Sequence, residues 1–409
     1  MSDGMYALSE YIFSRRLIGR GCLGLLGIIL VAGLWPFHAP KNNVAWLPGR
    51  GLHFGRYGSA VSRSEFAARA ANDATGSLEV WLRPAAYRRR VILSFETPSH
   101  PLVPFLLRQN KDGLVVQEPN KDANGVYRTA WLSVDQVFRG EQPVLVTVTM
   151  QPSKTQVYVD GALVKSFSLA GTSGDNFSGK LVLANSATVS DAWAGDIDGL
   201  AVYRRDLSSS QVAADYESWS NKAAPELAES KAPVAFYAFD EGSGAVAHNR
   251  VDAATDLMIP RSFFVLHPAF LESTRGEYRP TLSYWQDTLV NVLGFIPFGF
   301  CLAAYFSRSG GKRAVAMAVS MGFLTSLTIE LLQFLLPTRS SGTTDLITNT
   351  LGTAIGALLF HQFFLRQWSI PAGDFIRTPE KRADEAFTFN TNLAGSREPA
   401  ETNCEAKQA

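Results

Sequence analysis

Seven polar residues stand out because of where they fall. Asp287, Asn291, Glu330, Gln333, Arg339, Asp345 and Asn349 lie in or beside three apolar runs between Tyr284 and Phe360, where ionisable groups are costly. Asp287, Asn291 and Gly294 are spaced i, i+4, i+7, as are Asp345, Asn349 and Gly352, so each set occupies one helical face. Glu330 and Gln333, at i and i+3, share a face as well. Glu330 or Asp345 suits a general acid or base, and Arg339 suits an anion. Each residue also has a structural use. The aspartates fit N-terminal helix carboxylates, the asparagines interhelical hydrogen bonds and the glycines close packing, and Arg339 fits an ion pair with Glu330 or Asp345. Residue by residue the structural use is favoured. The convergent set favours a site, because a purely structural bundle can use cheaper polar groups than three carboxylates. No nucleophile-and-base pair and no metal-ligand set accompanies them, so the expectation leans away from an enzyme.

The elements that must position these residues are apolar segments 285–306, 314–336 and 345–365, each near the roughly 20 residues a helix needs to span a bilayer. Lipid leaves their backbone amides no partner outside the helix. A fourth run, 17–37, follows Arg15 and Arg16. Pro36 and Pro40 flank its exit and no A-x-A site follows, so it reads as an uncleaved helix. Basic clusters stand before the first helix, between the second and third (Arg308, Lys312, Arg313) and after the fourth (Arg366, Arg377, Lys381, Arg382). The positive-inside rule then puts the tail 1–16 and the tail 366–409, which reads as disordered, in the cytoplasm. The segment after helix one is exported, and the polar set lies in the outer leaflet. There two parallel helix N-termini and Arg339 suit a phosphate or carboxylate group.

The exported region 44–250 has another character. Ser77–Pro84, Arg90–Glu96, Pro143–Met150, Thr155–Leu169, Lys180–Asn185 and Asp196–Tyr203 are β-branched or aromatic runs with turn punctuation. Asp160-Gly161 is a hairpin signal. These runs predict an antiparallel sandwich, with a short helix over Leu207–Trp219 and a connector over Ser220–Lys231. A linker, 251–284, follows; its apolar cluster Phe263–Leu266 suits packing on the sandwich or lying at the membrane interface. Asp160, Asp196 and Asp198 are weak calcium candidates, Asp160 being explained by its turn, so no cofactor is expected. Trp131 and Trp193 suit sugar stacking, with core or rim packing the commoner role. With 38 basic and 37 acidic residues, nothing points to nucleic acid. Mean hydropathy near zero averages two unlike populations. Cys22, Cys301 and Cys404 suggest neither a disulfide nor a cysteine metal site.

The helical block resembles the VanZ-like family of bacterial membrane proteins, through D-x3-N-x-x-G-F-I-P-F-G at Asp287–Gly299, I-E-x-x-Q at Ile329–Gln333 and R-S-S-x-x-x-D-x-x-x-N-x-x-G at Arg339–Gly352. The β region resembles laminin G-like, or concanavalin A-like, jelly rolls, through Gly51–Ser62, SLEVWLRP, VYVDGALV and Phe177–Asn185 running to Val212. Phe236–Asn249, which looks like the opening stretch of such a domain, here follows the rest, as in a circular permutation. Termini of domains are often close, and such closeness also lets the domain hang as an insert between two membrane helices. The expected architecture is a multi-domain membrane protein, an all-α four-helix transmembrane bundle with an inserted all-β jelly-roll sandwich. The resemblances imply a multi-pass protein of the bacterial cytoplasmic membrane, in a family associated with glycopeptide resistance. Its partners would be membrane lipids, through a headgroup held by the outer-leaflet set, and a glycan or glycoconjugate bound by the exported domain. An enzyme acting on a lipid-linked phosphate or sugar, and an anchor or scaffold for an assembly partner, are the alternatives.

Overall fold

The computed structural model describes residues 15–67, 75–96, 105–121, 127–140, 142–169, 176–188, 190–221, 232–278, 280–307 and 310–367. Residues 1–14 of the expected cytoplasmic tail, connector residues 222–231, Arg308 and the tail beyond 367 lie outside the described residues.

The described residues begin with helix α1 (Arg15–Leu34) and enter a run of strands: β1 (Val44–Trp46), β2 (Leu52–Phe54), β3 (Ala60–Ser62), β4 (Gly76–Pro84), β5 (Arg90–Glu96), β6 (Phe105–Asn110), β7 (Gly113–Lys121) and β8 (Tyr127–Val134). Then come β9 (Val144–Gln151), β10 (Lys154–Val159), β11 (Ala162–Ser168), β12 (Lys180–Leu183), β13 (Gly195–Tyr203), α2 (Ser209–Ser220), β14 (Ala235–Tyr237), β15 (Val246–Ala247) and β16 (Leu257–Met258). Short helix α3 (Thr274–Glu277) precedes α4 (Leu282–Phe306), α5 (Gly311–Phe334) and α6 (Thr343–Gln367).

The strands form two sheets. The first has the order β1-β2-β13-β4-β9-β10-β11 with β14 also on β13; the second runs β15-β16-β3-β12-β5-β6-β7-β8. All named strand pairs are antiparallel, which allows short connections. Alternation along the strands sends Leu78, Val80 and Leu82 of β4, Phe105 and Leu107 of β6 and Leu114 and Val116 of β7 into the core between the sheets. Helix α2 covers the outer face of the first sheet, where Tyr158, Tyr203, Val212, Trp219 and Phe236 form a second buried cluster. Its start is fixed by a capping box of Ser208 and Gln211. The turn at Asp160-Gly161 has both residues at positive φ (50° and 80°), as a two-residue hairpin requires.

The late stretch after Ala235 completes both sheets. β14 joins β13 through Leu200, Ala201 and Val202, while β16 joins β3 through Val61 and Ser62. Strand pairing therefore continues past residue 250, to Met258. The entrance and exit of the sandwich then meet: Lys41 bridges Ser262, Asn42 N donates to Arg261 O (3.0 Å) and Phe263 N to Pro40 O (2.9 Å). Phe263 is fully buried and packs on Tyr57, so this end of the linker belongs to the sandwich.

Two compact units divide the helices along their length. One contains 24–292 and 323–350, the other 293–322 and the outer parts of the chain. In the latter, Gly299 on α4 lies against the Thr353 backbone and Gly356 on α6 against the Ile296 carbonyl, approaches that a Cβ would block. By length and composition, Arg16–Leu34, α4 and α5 are able to cross a membrane. α6 has 25 residues, but its first turns carry Thr343, Thr344, Asp345, Thr348, Asn349 and Thr350, so apolarity does not mark it as the expected fourth span.

Candidate functional site

The polar set gathers where α1 and α5 end and α4 and α6 begin. α6 opens after Gly342, which has no side chain with which to cap the first turn. Two carboxylates from elsewhere supply that cap. Glu330 Oε2 accepts from Gly342 N (2.7 Å), and Glu277 Oε2 accepts from Thr344 N (2.9 Å) and from its hydroxyl. Negative charge at a helix N-terminus is favourable. Asp345 in the same turn accepts from Asn291 Nδ2 of α4 (2.8 Å), and Asp287, one turn earlier on α4, is exposed. The linker is stitched to this end, since Glu272 N donates to Ser341 O (2.9 Å) and Thr343 N to Glu272 O (3.0 Å).

Gln333 and Arg339 serve another terminus. Gln333 Nε2 donates to Gly33 O (2.8 Å), and Arg339 Nη2 donates to Gly33 O (2.9 Å) and Ala32 O (3.1 Å). These carbonyls end α1, where helical partners run out and a cation is favoured. Asn349 pairs instead with Ser326 on α5 (3.0 Å). The structure therefore joins Asn291 to Asp345, brings Glu330 to the start of α6, and joins Gln333 to Arg339 through one carbonyl. Glu330 is fully buried and Gln333 is 8% exposed. Even so, Glu330 Oε1, Gln333 Oε1 and Arg339 Nε have no hydrogen-bond partner among the described residues. Sequence reasoning passed over Glu277. Its only signal is the capless glycine at the start of α6.

The sandwich offers a second surface. Cross-strand pairs place Met258, Val61, Val182, Ser94, Leu106, Gln117 and Trp131 in one row across β16, β3, β12, β5, β6, β7 and β8. Partners across strands share a face, and this face is opposite the one carrying Leu107, Val116 and Leu132 into the core. The row is buried from Val182 to Gln117 and ends at Trp131, which is 58% exposed. Trp193 is core, 1% exposed, its Nε1 donating to Gln109 Oε1 (2.7 Å).

The remaining candidates have local partners. Asp160 Oδ1 accepts from Leu145 N (2.9 Å) at its turn. Asp196 pairs with His53 Nδ1 (2.7 Å) and Arg83 Nη2 (3.1 Å). Burial pushes the Asp198 carboxyl above its ordinary range, with Arg83 opposing that shift. In the core, burial pushes Glu118 up to about 7, opposed by hydrogen bonds from Thr155 Oγ1 (2.7 Å) and Asn176 Nδ2 (3.0 Å).

Residues 236–366 match the family model described as VanZ/LLP1, and residues 58–213 match that of the concanavalin A-like lectin/glucanases superfamily. The chain carries a VanZ-like segment. Protein VanZ of Enterococcus faecium is 34% identical over 76 residues, which are 19% of this chain and 45% of that protein, so the chain spans less than half the length of this curated relative. The VanZ match begins at β14 and so takes in the strands that close the sandwich. Among solved structures, the receptor-binding domain of botulinum neurotoxin D is similar at 12% identity and a TM-score of 0.33, over 44% of this chain and 48% of that one. A heptameric SAP-like pentraxin from Limulus polyphemus is similar at 13% identity and a TM-score of 0.30, over 44% and 79%. The chain thus carries a segment similar to VanZ/LLP1 at 236–366, helices apolar enough to cross a membrane, and a concanavalin A-like sandwich.

Proposed function

We propose that this chain is a bacterial cytoplasmic-membrane protein whose exported sandwich holds a glycan while the helix ends nearest the sandwich engage a lipid headgroup in the outer leaflet. In this reading α1, α4, α5 and α6 all cross, both termini are cytoplasmic, and the sandwich is an insert between α1 and α4. The Lys41–Ser262 clamp supports the insertion, because it lets the chain leave one helix and return to the next at a single point. The basic residues Arg16, Lys312 and Arg313 support the orientation.

The observation that carries the glycan half is Trp131, an exposed indole at the end of a row that is buried from Val182 to Gln117. A broad exposed aromatic face stacks on the apolar face of a sugar ring. The test is a screen of the detergent-solubilised full chain against bacterial envelope polysaccharides. Trp131→Ala should weaken the best binder at least about tenfold without altering the melting of the sandwich. Binding unchanged in that variant moves the glycan elsewhere, and binding to no polysaccharide removes this half of the proposal.

A further inference from the structure

We infer that the polar set at the helix ends takes an amine, a hydrogen-bond-donating monocation such as the ammonium of an aminated lipid headgroup. This inference rests on the headgroup reading above and names the chemistry that the site selects.

Charge count argues for a cation. Among the described residues, Glu272, Glu277, Glu330, Asp345 and Asp287 stand around the start of α6 and the first turns of α4, against Arg339 on the same loop and Arg275 on α3. Arg339 is already held by the carbonyls of Ala32 and Gly33. The two amides of the α6 terminus that an anion would seek, Gly342 N and Thr344 N, already donate to Glu330 and Glu277. An anion would thus meet occupied donors and a surplus of negative charge.

The unpartnered atoms make the same choice independently. Glu330 and Gln333 are each more than nine-tenths buried, and among the described residues the Oε1 of each lacks a well-formed hydrogen bond, the Ser341 hydroxyl being the one further side-chain donor close to the Glu330 carboxylate. Both sit on one face of α5, at i and i+3. Buried acceptors without donors are expensive, and what satisfies them is an N–H or O–H. An ammonium brings three such donors with a positive charge that offsets the carboxylates. A different solution is internal: a proton on Glu330 shared with Gln333 would pair the two oxygens and leave nothing for a ligand.

One substitution separates these. Glu330→Gln keeps an oxygen for Gly342 N and turns the second position into an N–H donor, so it imitates the protonated acid and repels an amine. The experiment is native mass spectrometry of the full chain in detergent, with phosphatidylethanolamine or phosphatidylglycerol added in equal amounts, and with ethanolamine as a soluble competitor. Retention of phosphatidylethanolamine at least about fivefold over phosphatidylglycerol, lost in a Glu330→Gln protein that elutes and melts like wild type, is the expected result. Displacement by ethanolamine shows that the amine alone suffices; retention despite it shows that the lipid's acyl part contributes, and either supports the assignment. Asp287→Asn, an exposed position, should lower the preference in part without touching the fold. Equal retention of both lipids, or an unchanged preference in Glu330→Gln, overturns the amine and leaves the headgroup reading standing. Retention of neither lipid overturns both.

Discussion

The sandwich and the helix ends both bury carboxylates, but they treat them differently. In the sandwich Glu118 and Asp256 have a donor on each carboxylate oxygen, and Glu79 gathers two side-chain donors on one. Glu118 takes Thr155 and Asn176, Glu79 takes Tyr203 Oη (3.2 Å) and Trp219 Nε1 (3.1 Å), and Asp256 takes Asn249 N (2.9 Å) and His248 Nδ1 (3.0 Å). At the helix ends Glu330 and Gln333 are engaged on one side only, and Arg339 keeps one N–H without an acceptor. A carboxylate that gathers donors from several elements, as Glu79 does from β13 and α2, locks strands and helix α2 into one arrangement. A half-closed network retains bonding capacity for something outside the chain.

Breaking the buried Glu79 network should have the largest effect. Glu79→Ala strands the Tyr203 hydroxyl and the Trp219 indole N–H and leaves a void under α2, for a loss of about 4 kcal/mol in denaturant unfolding followed by tryptophan fluorescence. Titration of Glu118 comes next. Its folded pKa of about 7 lies above the ordinary 4.5, so the stability it contributes is complete below 4.5 and declines as pH rises through about 7, by about 3 kcal/mol in all. Glu118→Gln should flatten that decline and make the protein the more stable of the two at pH 8. Asn176, whose Oδ1 has no partner among the described residues, can turn its amide to accept the new N–H. A sandwich whose melting is indifferent to pH between 4.5 and 7 would show that Glu118 is already charged in the fold.

Arg339→Met should cost about 2 kcal/mol, because two carbonyls at the end of α1 lose a cationic donor; thermal melting of the full chain measures it. The smallest effect is expected where the network is open. Glu330→Gln, keeping its bond to Gly342 N, should change melting by less than about 1 kcal/mol. A loss as large as that of Glu79→Ala would mean that the helix ends are as closed as the sandwich.

Much of the fold was readable because its cause is local. Arg90–Glu96 is a strand in sequence pattern and in structure alike, and Asp160-Gly161 turns where a two-residue hairpin turns. β6 and β7 were not readable. FLLRQN has no β-branched residue, and β7 contains Pro119, so their strand character comes from pairing with β5 and β8. β2 and β3 are three residues each, too short for any periodicity to register. At the helix ends, the equal spacing of Asp287 with Asn291 and of Asp345 with Asn349 announced shared faces, and Asn291 does meet Asp345. The partners of Glu277 and Arg339 were invisible. One reaches a helix start 67 positions away, the other a helix end 306 positions away, and a backbone amide or carbonyl leaves no mark in side-chain pattern.

The central claim is that the sandwich and the open helix ends face outward. Leu163 on edge strand β11 is 48% exposed, so a Leu163→Cys protein whose own cysteines, Cys22, Cys301 and Cys404, are replaced by serine reports the side directly. Treating spheroplasts with a membrane-impermeant maleimide should label this cysteine to the same extent before and after detergent lysis. Labelling only after lysis would put the sandwich in the cytoplasm and contradict the account.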